Sequence, residues 1–153
     1  MRILIQRVKE ASVTVEGRTT GEISAGLLLF VSFEECDSAT DLDAVAAKVS
    51  RLRIFDDENK VMNLSITDIK GQFLVVSQFT LHALTRKGNR PSYIRAASPA
   101  IAKPLYEQFV SRLGQYSEFK IQTGEFGADM NVALINDGPV TIWIDTVELK
   151  PVN

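Results

Sequence analysis

Side chains able to carry nucleophilic or acid–base chemistry are scarce in this chain, which has one cysteine, Cys36, and one histidine, His82. No Gly-x-Ser-x-Gly elbow occurs. His82 follows Ser77 by five positions, an odd separation that puts the two on opposite faces of an extended strand. A Ser77–His82 pair therefore needs the chain to bend between them, and a histidine at a strand end is more often a surface residue. One Cys and one His cannot supply a metal cage, and the acids are scattered through loops and the first helix, so neither metal nor cofactor is expected. Ser77-Gln78-Phe79-Thr80-Leu81 stands apart. Three hydrogen-bonding side chains follow the apolar run Phe73-Leu74-Val75-Val76, and buried polar groups need partners. Either neighbouring backbone satisfies them at a strand's end, or this terminus lines a pocket and offers amide N–H groups and polar side chains to a carbonyl or ribose. Periodicity alone does not choose.

Three other segments invite ligand chemistry. In Asn136-Asp137-Gly138-Pro139, Asp-Gly suits a hairpin turn, but the proline after it cannot donate to a ladder, and X-Pro bonds are where cis peptides occur. Gly124-Glu125-Phe126-Gly127-Ala128-Asp129-Met130 brackets a bulky aromatic between glycines, as though the backbone turned closely around something. The third is electrostatic. From Ile69 through Tyr106 there is no acid, while Lys70, Arg86, Lys87, Arg90, Arg95 and Lys103 are cationic; with the whole chain at −2, the rest carries −8. The centre of that segment, Thr85-Arg86-Lys87-Gly88-Asn89-Arg90-Pro91, holds the glycine and proline of an exposed, shaped loop able to present cations to phosphates.

The elements that must position these residues follow from periodicity. Ile3 and Ile5, then Val13 and Val15, then Ile23 mark a meander of strands, with Glu16-Gly17-Arg18 as a turn. Leu42, Val45, Ala46, Val49 and Leu52 recur at helical spacing behind Ser38 and Asp41, which are spaced as a capping box. Arg53-Ile54-Phe55 reads as a short strand and Gln72 through Leu81 as a long one. Ser98-Pro99 opens a second helix through Ile101, Leu105, Phe109, Val110 and Leu113, stopped by Gly114; Pro104 predicts a kink or a late start. Phe119 to Thr123 reads as a strand, and Met130–Leu134 and Val140–Val147 as two strands flanking the glycine turn.

These elements fit one compact domain over residues 1–153, which at this length should bury roughly 70% of its unfolded surface. Apolar residues at 45% and charged residues at 24% disfavour disorder, collagen-like repeats and disulfide-stapled miniature folds. The richest apolar stretch, Ala25 to Phe33, is too short for a membrane span, and Met1 leads directly into strand-like sequence. With a single cysteine, a cytoplasmic location is expected.

Ser77-Gln78-Phe79-Thr80-Leu81, Lys87-Gly88-Asn89-Arg90-Pro91-Ser92, Phe126-Gly127-Ala128-Asp129-Met130 and Asn136-Asp137-Gly138-Pro139-Val140-Thr141 occur in this order, after an opening such as Met1 to Val15. Together they resemble the D-aminoacyl-tRNA deacylase family across essentially the whole chain. The resemblance implies a single α/β domain of layered mixed and antiparallel β-sheets with two main helices, assembled as a homodimer with aminoacylated tRNA as substrate. It implies hydrolysis of the ester between a D-amino acid and the 3′-terminal adenosine, with glycine also accepted because it has no side chain to exclude.

Carried over by residue, the amide N–H groups of Phe79 and Thr80 would hold the developing oxyanion, and Ser77 and Gln78 would shape the site. The Thr80 hydroxyl could be a nucleophile, but no adjacent base is evident. Attack by water assisted by the ribose 2′-hydroxyl is the preferred alternative. Gly138-Pro139 would be cis and enter the second protomer's pocket, where its carbonyls fix the α-amine and an L side chain collides. Phe126, Ala128 and Met130 would bind the adenosine end, and Arg86, Lys87 and Arg90 the acceptor-stem phosphates. Two competing readings are a non-catalytic tRNA-binding module, for which the aromatic-rich RNA-recognition signature is missing, and a serine esterase using Ser77 and His82.

Overall fold

The computed structural model describes residues 1–149. β1 (Arg2–Val15) and β2 (Arg18–Ile23) form a hairpin whose turn residues, Glu16 and Gly17, both have positive φ, 49° and 77°. That pair of left-handed residues matches the twist of the flanking strands. β3 (Gly26–Ser32) pairs antiparallel with β1 and parallel with β6 (Gln72–Ser77), which pairs parallel with β7 (Gln122–Thr123). β8 (Asn131–Asp145) runs along the opposite side of β1 and completes a six-stranded sheet. β4 (Phe55–Asp56) and β5 (Met62–Leu64) make a small separate hairpin.

Two helices cover this sheet. α1 (Ala39–Arg51) starts on the capping box read from sequence: the Ser38 N–H donates to Asp41 Oδ2 (3.0 Å) and the Asp41 N–H to Ser38 Oγ (3.4 Å). It buries Leu42, Val45, Ala46 and Val49. α2 (Pro99–Leu113) buries Ala102, Tyr106, Phe109 and Leu113, and the Tyr106 hydroxyl donates to the Val75 carbonyl (2.8 Å). A one-turn α3 (Thr146–Leu149) follows β8. No helix among the described residues is long and apolar enough to cross a membrane.

The core explains why β3 and β6 are apolar throughout. Leu27, Leu29, Phe73 and Val75 pack with α1 and α2 in one cluster, while Leu28, Leu74 and Val76 pack with Val8, Ala11, Val13 and Ile23 in another. Strands buried on both faces need no polar alternation. The first half of β1 contributes Ile3 and Ile5 to the helix-side cluster, and its second half contributes Val13 to the other. The architecture is therefore helices, central strands, then the far half of β1 with β2 and part of β8: layered α/β, as the resemblance implies.

Six sequence expectations are corrected. The strand from Gln72 ends at Ser77 rather than Leu81, and Phe79–His82 is a 3₁₀ turn. The polar Ser77-Gln78 pair ends the apolar ladder, and Gln78 N–H closes it on the Val31 carbonyl (2.8 Å). The two strands expected around Gly138 are one, β8, because both arms pair with β1 instead of with each other. The strand expected at Arg53–Phe55 is shifted to the two-residue β4, Phe55–Asp56, and Phe119–Thr123 shrinks to the two-residue β7. α2 does not start late: it begins at Pro99 and continues through Pro104, and Ala100, whose carbonyl loses its partner there, is exposed to water. Finally, His82 is a fully buried residue, not a surface one.

Candidate active site

A cleft of about 660 Å³ opens at the carboxyl ends of the parallel strands β3 and β6. Open α/β sheets place ligands at this end of the strands, where chain direction leaves backbone groups and loops converging. Val31, Ser32, Val76 and Ser77 form its floor, Gln78 and Phe79 one wall, Tyr93, Ala96 and Ala97 a second, and Phe126–Met130 a third. Phe79 is 57% exposed and its ring meets Tyr93 edge-on, with centroids 5.1 Å apart.

The turn after β6 determines what this cleft can offer. Leu81 N–H donates to the Gln78 carbonyl and Ala83 N–H to that of Thr80, but no acceptor among the described residues takes the N–H of Phe79 or Thr80. The Thr80 hydroxyl sits 2.5 Å from Gln78 Nε2. Whichever way that amide is oriented, its partner atom is no general base, so the hydroxyl is not activated as a nucleophile.

His82 belongs to another constellation. The bend after Ser77 carries it to Ser32, with Oγ–Nδ1 at 2.6 Å, and not to Ser77. Ser32, in the cleft floor, is only 2% exposed and His82 0%, so the imidazole lies behind that floor. Burial holds the imidazole pKa below its ordinary value, while the nearby Glu34 carboxylate pulls the other way.

Of the residues singled out in the sequence, Ser77, Gln78, Phe79, Phe126, Ala128 and Met130 come together on the cleft. Thr80 stands beside it, on Gln78. Arg86, Lys87 and Arg90 lie in an exposed loop closed by the Leu84–Ser92 bridge, one residue from Tyr93, so the loop springs from the cleft's rim. None of the three is paired with an acid among the described residues, whereas Lys70 and Arg95 are, with Glu118 and Glu34.

Gly138 and Pro139 are exposed and do not line this cleft. Their peptide bond is cis. Gln6 pairs with Thr141 and Val8 with Asn136, so residues 137–140 stand off β1 opposite Arg7 alone. That arginine, unnoticed in the sequence, is buried and grips the base of the protrusion: Nε donates to the Asp137 carbonyl (2.9 Å), and Nη1 to the Ile54 carbonyl (2.5 Å). Ser32 and Tyr93 were also missed. A serine inside an apolar strand and an arginine at an inward-facing position of a strand were the available signals, since both must find partners.

Fold and cleft together define a class: a mixed α/β domain with a largely apolar cleft at the ends of its parallel strands, next to a turn with two unclaimed amide N–H groups. The model of the family described as D-Tyr-tRNA(Tyr) deacylase matches residues 4–145, and the chain belongs to that family. Relatives named D-aminoacyl-tRNA deacylase from Flavobacterium johnsoniae and Bacteroides fragilis are each 58% identical over 146 residues, covering 95% of this chain and 97% of theirs. Among solved structures, the c-Myc DNA Unwinding Element Binding Protein is similar with a TM-score of 0.90 and 35% identity, over 99% of this chain and 100% of that one. A probable eukaryotic D-amino acid tRNA deacylase shares the fold, with a TM-score of 0.80 at 14% identity over 94% and 97% of the two chains.

Proposed function

We propose that this protein hydrolyses the ester joining a D-amino acid, or glycine, to the 3′-terminal adenosine of tRNA. The observation that carries the reading is the pair of unclaimed amide N–H groups, Phe79 and Thr80, on the turn that ends a cleft-forming strand. As water attacks the ester carbonyl, charge gathers on its oxygen, and these donors stabilise the oxyanion more than the ground state. One fixed donor of this kind is worth about 3 kcal/mol. The ribose 2′-hydroxyl assists the attacking water, so no protein nucleophile is required. Phe126 and Met130 receive the adenosine end, Ser77 and Gln78 shape the reacting centre, and Arg86, Lys87 and Arg90 meet acceptor-stem phosphates.

Handedness is read by a second copy of the chain. Its Gly138-Pro139 protrusion enters the cleft, its carbonyls hold the substrate's α-amine, and an L side chain is driven into main chain. Support comes from the exposure of this segment, its stand-off from β1, and its place outside its own protomer's cleft. Steric rejection of this kind discriminates more strongly than apolar preference.

Incubation with D-tyrosyl- and L-tyrosyl-tRNA tests the reading: D-tyrosine is released and L-tyrosine retained. Equal release of both, or of neither, contradicts it. Retention of tRNA without loss of either ester favours the non-catalytic binding module instead, the reading that the exposed basic loop alone would support.

A further inference from the structure

From the cleft floor a polar chain that the proposed reaction leaves unused runs back into the interior. Ser32, the last residue of β3, meets His82 of the 3₁₀ turn at 2.6 Å. The ring's other nitrogen, Nε2, is buried without a hydrogen-bond partner and faces Glu34 Oε2 at 3.9 Å. Glu34 in turn accepts from Arg95 Nε (2.7 Å), and Arg95 does not itself line the cleft but lies between Tyr93 and Ala96, which do. Ser32 Oγ also approaches the Phe79 carbonyl, at 3.4 Å. One chain of contacts thus links Ser32 in the floor of the cleft, the turn that bears the two free amides, and the segment that carries Tyr93 and Ala96.

Electrostatics settles the direction of the proton. A bare Nε2 lone pair beside a carboxylate would be repelled, whereas Nε2–H is attracted, so Nδ1 is the acceptor, and the single Ser32 hydroxyl hydrogen goes to it at 2.6 Å rather than to the Phe79 carbonyl at 3.4 Å. Ser32 is too enclosed, at 2% exposure, to reach an ester.

We propose that Ser32 and His82, backed by Glu34, are positioning residues that hold the Phe79–Thr80 amides in register with the Tyr93 wall. This rests on the reading of those amides as oxyanion donors. The device suits a site that works by main chain, because a turn free to rock by a fraction of an ångström loses alignment with developing charge.

Steady-state kinetics on D-tyrosyl-tRNA test it with Ser32→Ala, His82→Leu and His82→Asn. Leucine fills the imidazole's volume without polarity; the asparagine carbonyl can still accept from Ser32. Loss of one orienting hydrogen bond should lower kcat about tenfold in Ser32→Ala and His82→Leu, with KM unchanged and His82→Asn recovering to within about threefold of wild type. Imidazole ¹⁵N spectra of the wild type should show the proton on Nε2 and an unprotonated Nδ1. A merely structural role predicts instead that rates follow thermal stability, with the leucine variant at least as active as the asparagine one, and that result overturns the proposal. A fully active Ser32→Ala overturns it while leaving the oxyanion reading intact. Wild-type protein inactive on D-tyrosyl-tRNA overturns both.

Discussion

Thr80 shows how closely two chemistries can share one residue. Its hydroxyl is engaged by the Gln78 amide, while its N–H is free among the described residues. If the main chain does the work, Thr80→Ala should keep kcat within about threefold of wild type, since a lost oxyanion donor would cost on the order of 100-fold or more. Single-turnover hydrolysis of D-tyrosyl-tRNA measures this, and a rate near the uncatalysed one would restore the hydroxyl as nucleophile. His82 gives a second test, in pH. Burial lowers its pKa from the ordinary 6.5, so the unfolded chain takes up a proton first as pH falls. Stability is then full above about 6.5 and declines below it. Urea midpoints of wild type should fall between pH 7.5 and 5.5 more than those of His82→Leu; parallel declines would show that His82 contributes nothing. The Ser77–Thr80 cluster was legible in sequence because polar residues in an apolar strand are conspicuous. Arg7 and Ser32 were not, because their partners lie 47 and 50 residues away and only folding brings them together.

At the level of elements, the parallel pairing of β3 with β6 builds the cleft floor, and Gly26 allows it. A Cβ there would lie 1.9 Å from the Gln72 carbonyl oxygen, a backbone atom that cannot step aside without breaking the ladder. Gly26→Ala should therefore cost about 3 kcal/mol of stability, read from denaturant unfolding. An unchanged midpoint would mean that the strands can separate without harm. The helices and the β1–β2 hairpin were readable from spacing, capping and turn chemistry, all of which act within a few residues. β8 was misread because alternation reports a strand but not its partner. Two arms around Asp-Gly usually pair with each other; here a single long β1 claims both, and the residues between them become a protrusion.

The whole molecule leaves β8 at an edge of the sheet, 15 residues long, with Ile135 51% and Trp143 42% exposed. A long apolar edge strand is an invitation to pair, and proteins normally cover or blunt one. A second copy would cover it, and would bring to each cleft the protrusion that its own chain directs elsewhere. The two clefts of such a dimer would then each be complete only with both chains. The rejection of L-substrates would be a property of the assembly, while the amides proposed to promote hydrolysis belong to one chain. The most direct measurement is a crystal structure with a non-hydrolysable D-aminoacyl-adenosine. The ester-mimicking carbonyl oxygen should lie within about 3 Å of the Phe79 and Thr80 nitrogens, with the α-amine on a Gly138-Pro139 carbonyl of the second copy. A ligand bound away from those amides, or in a cleft that no second chain enters, would contradict the account.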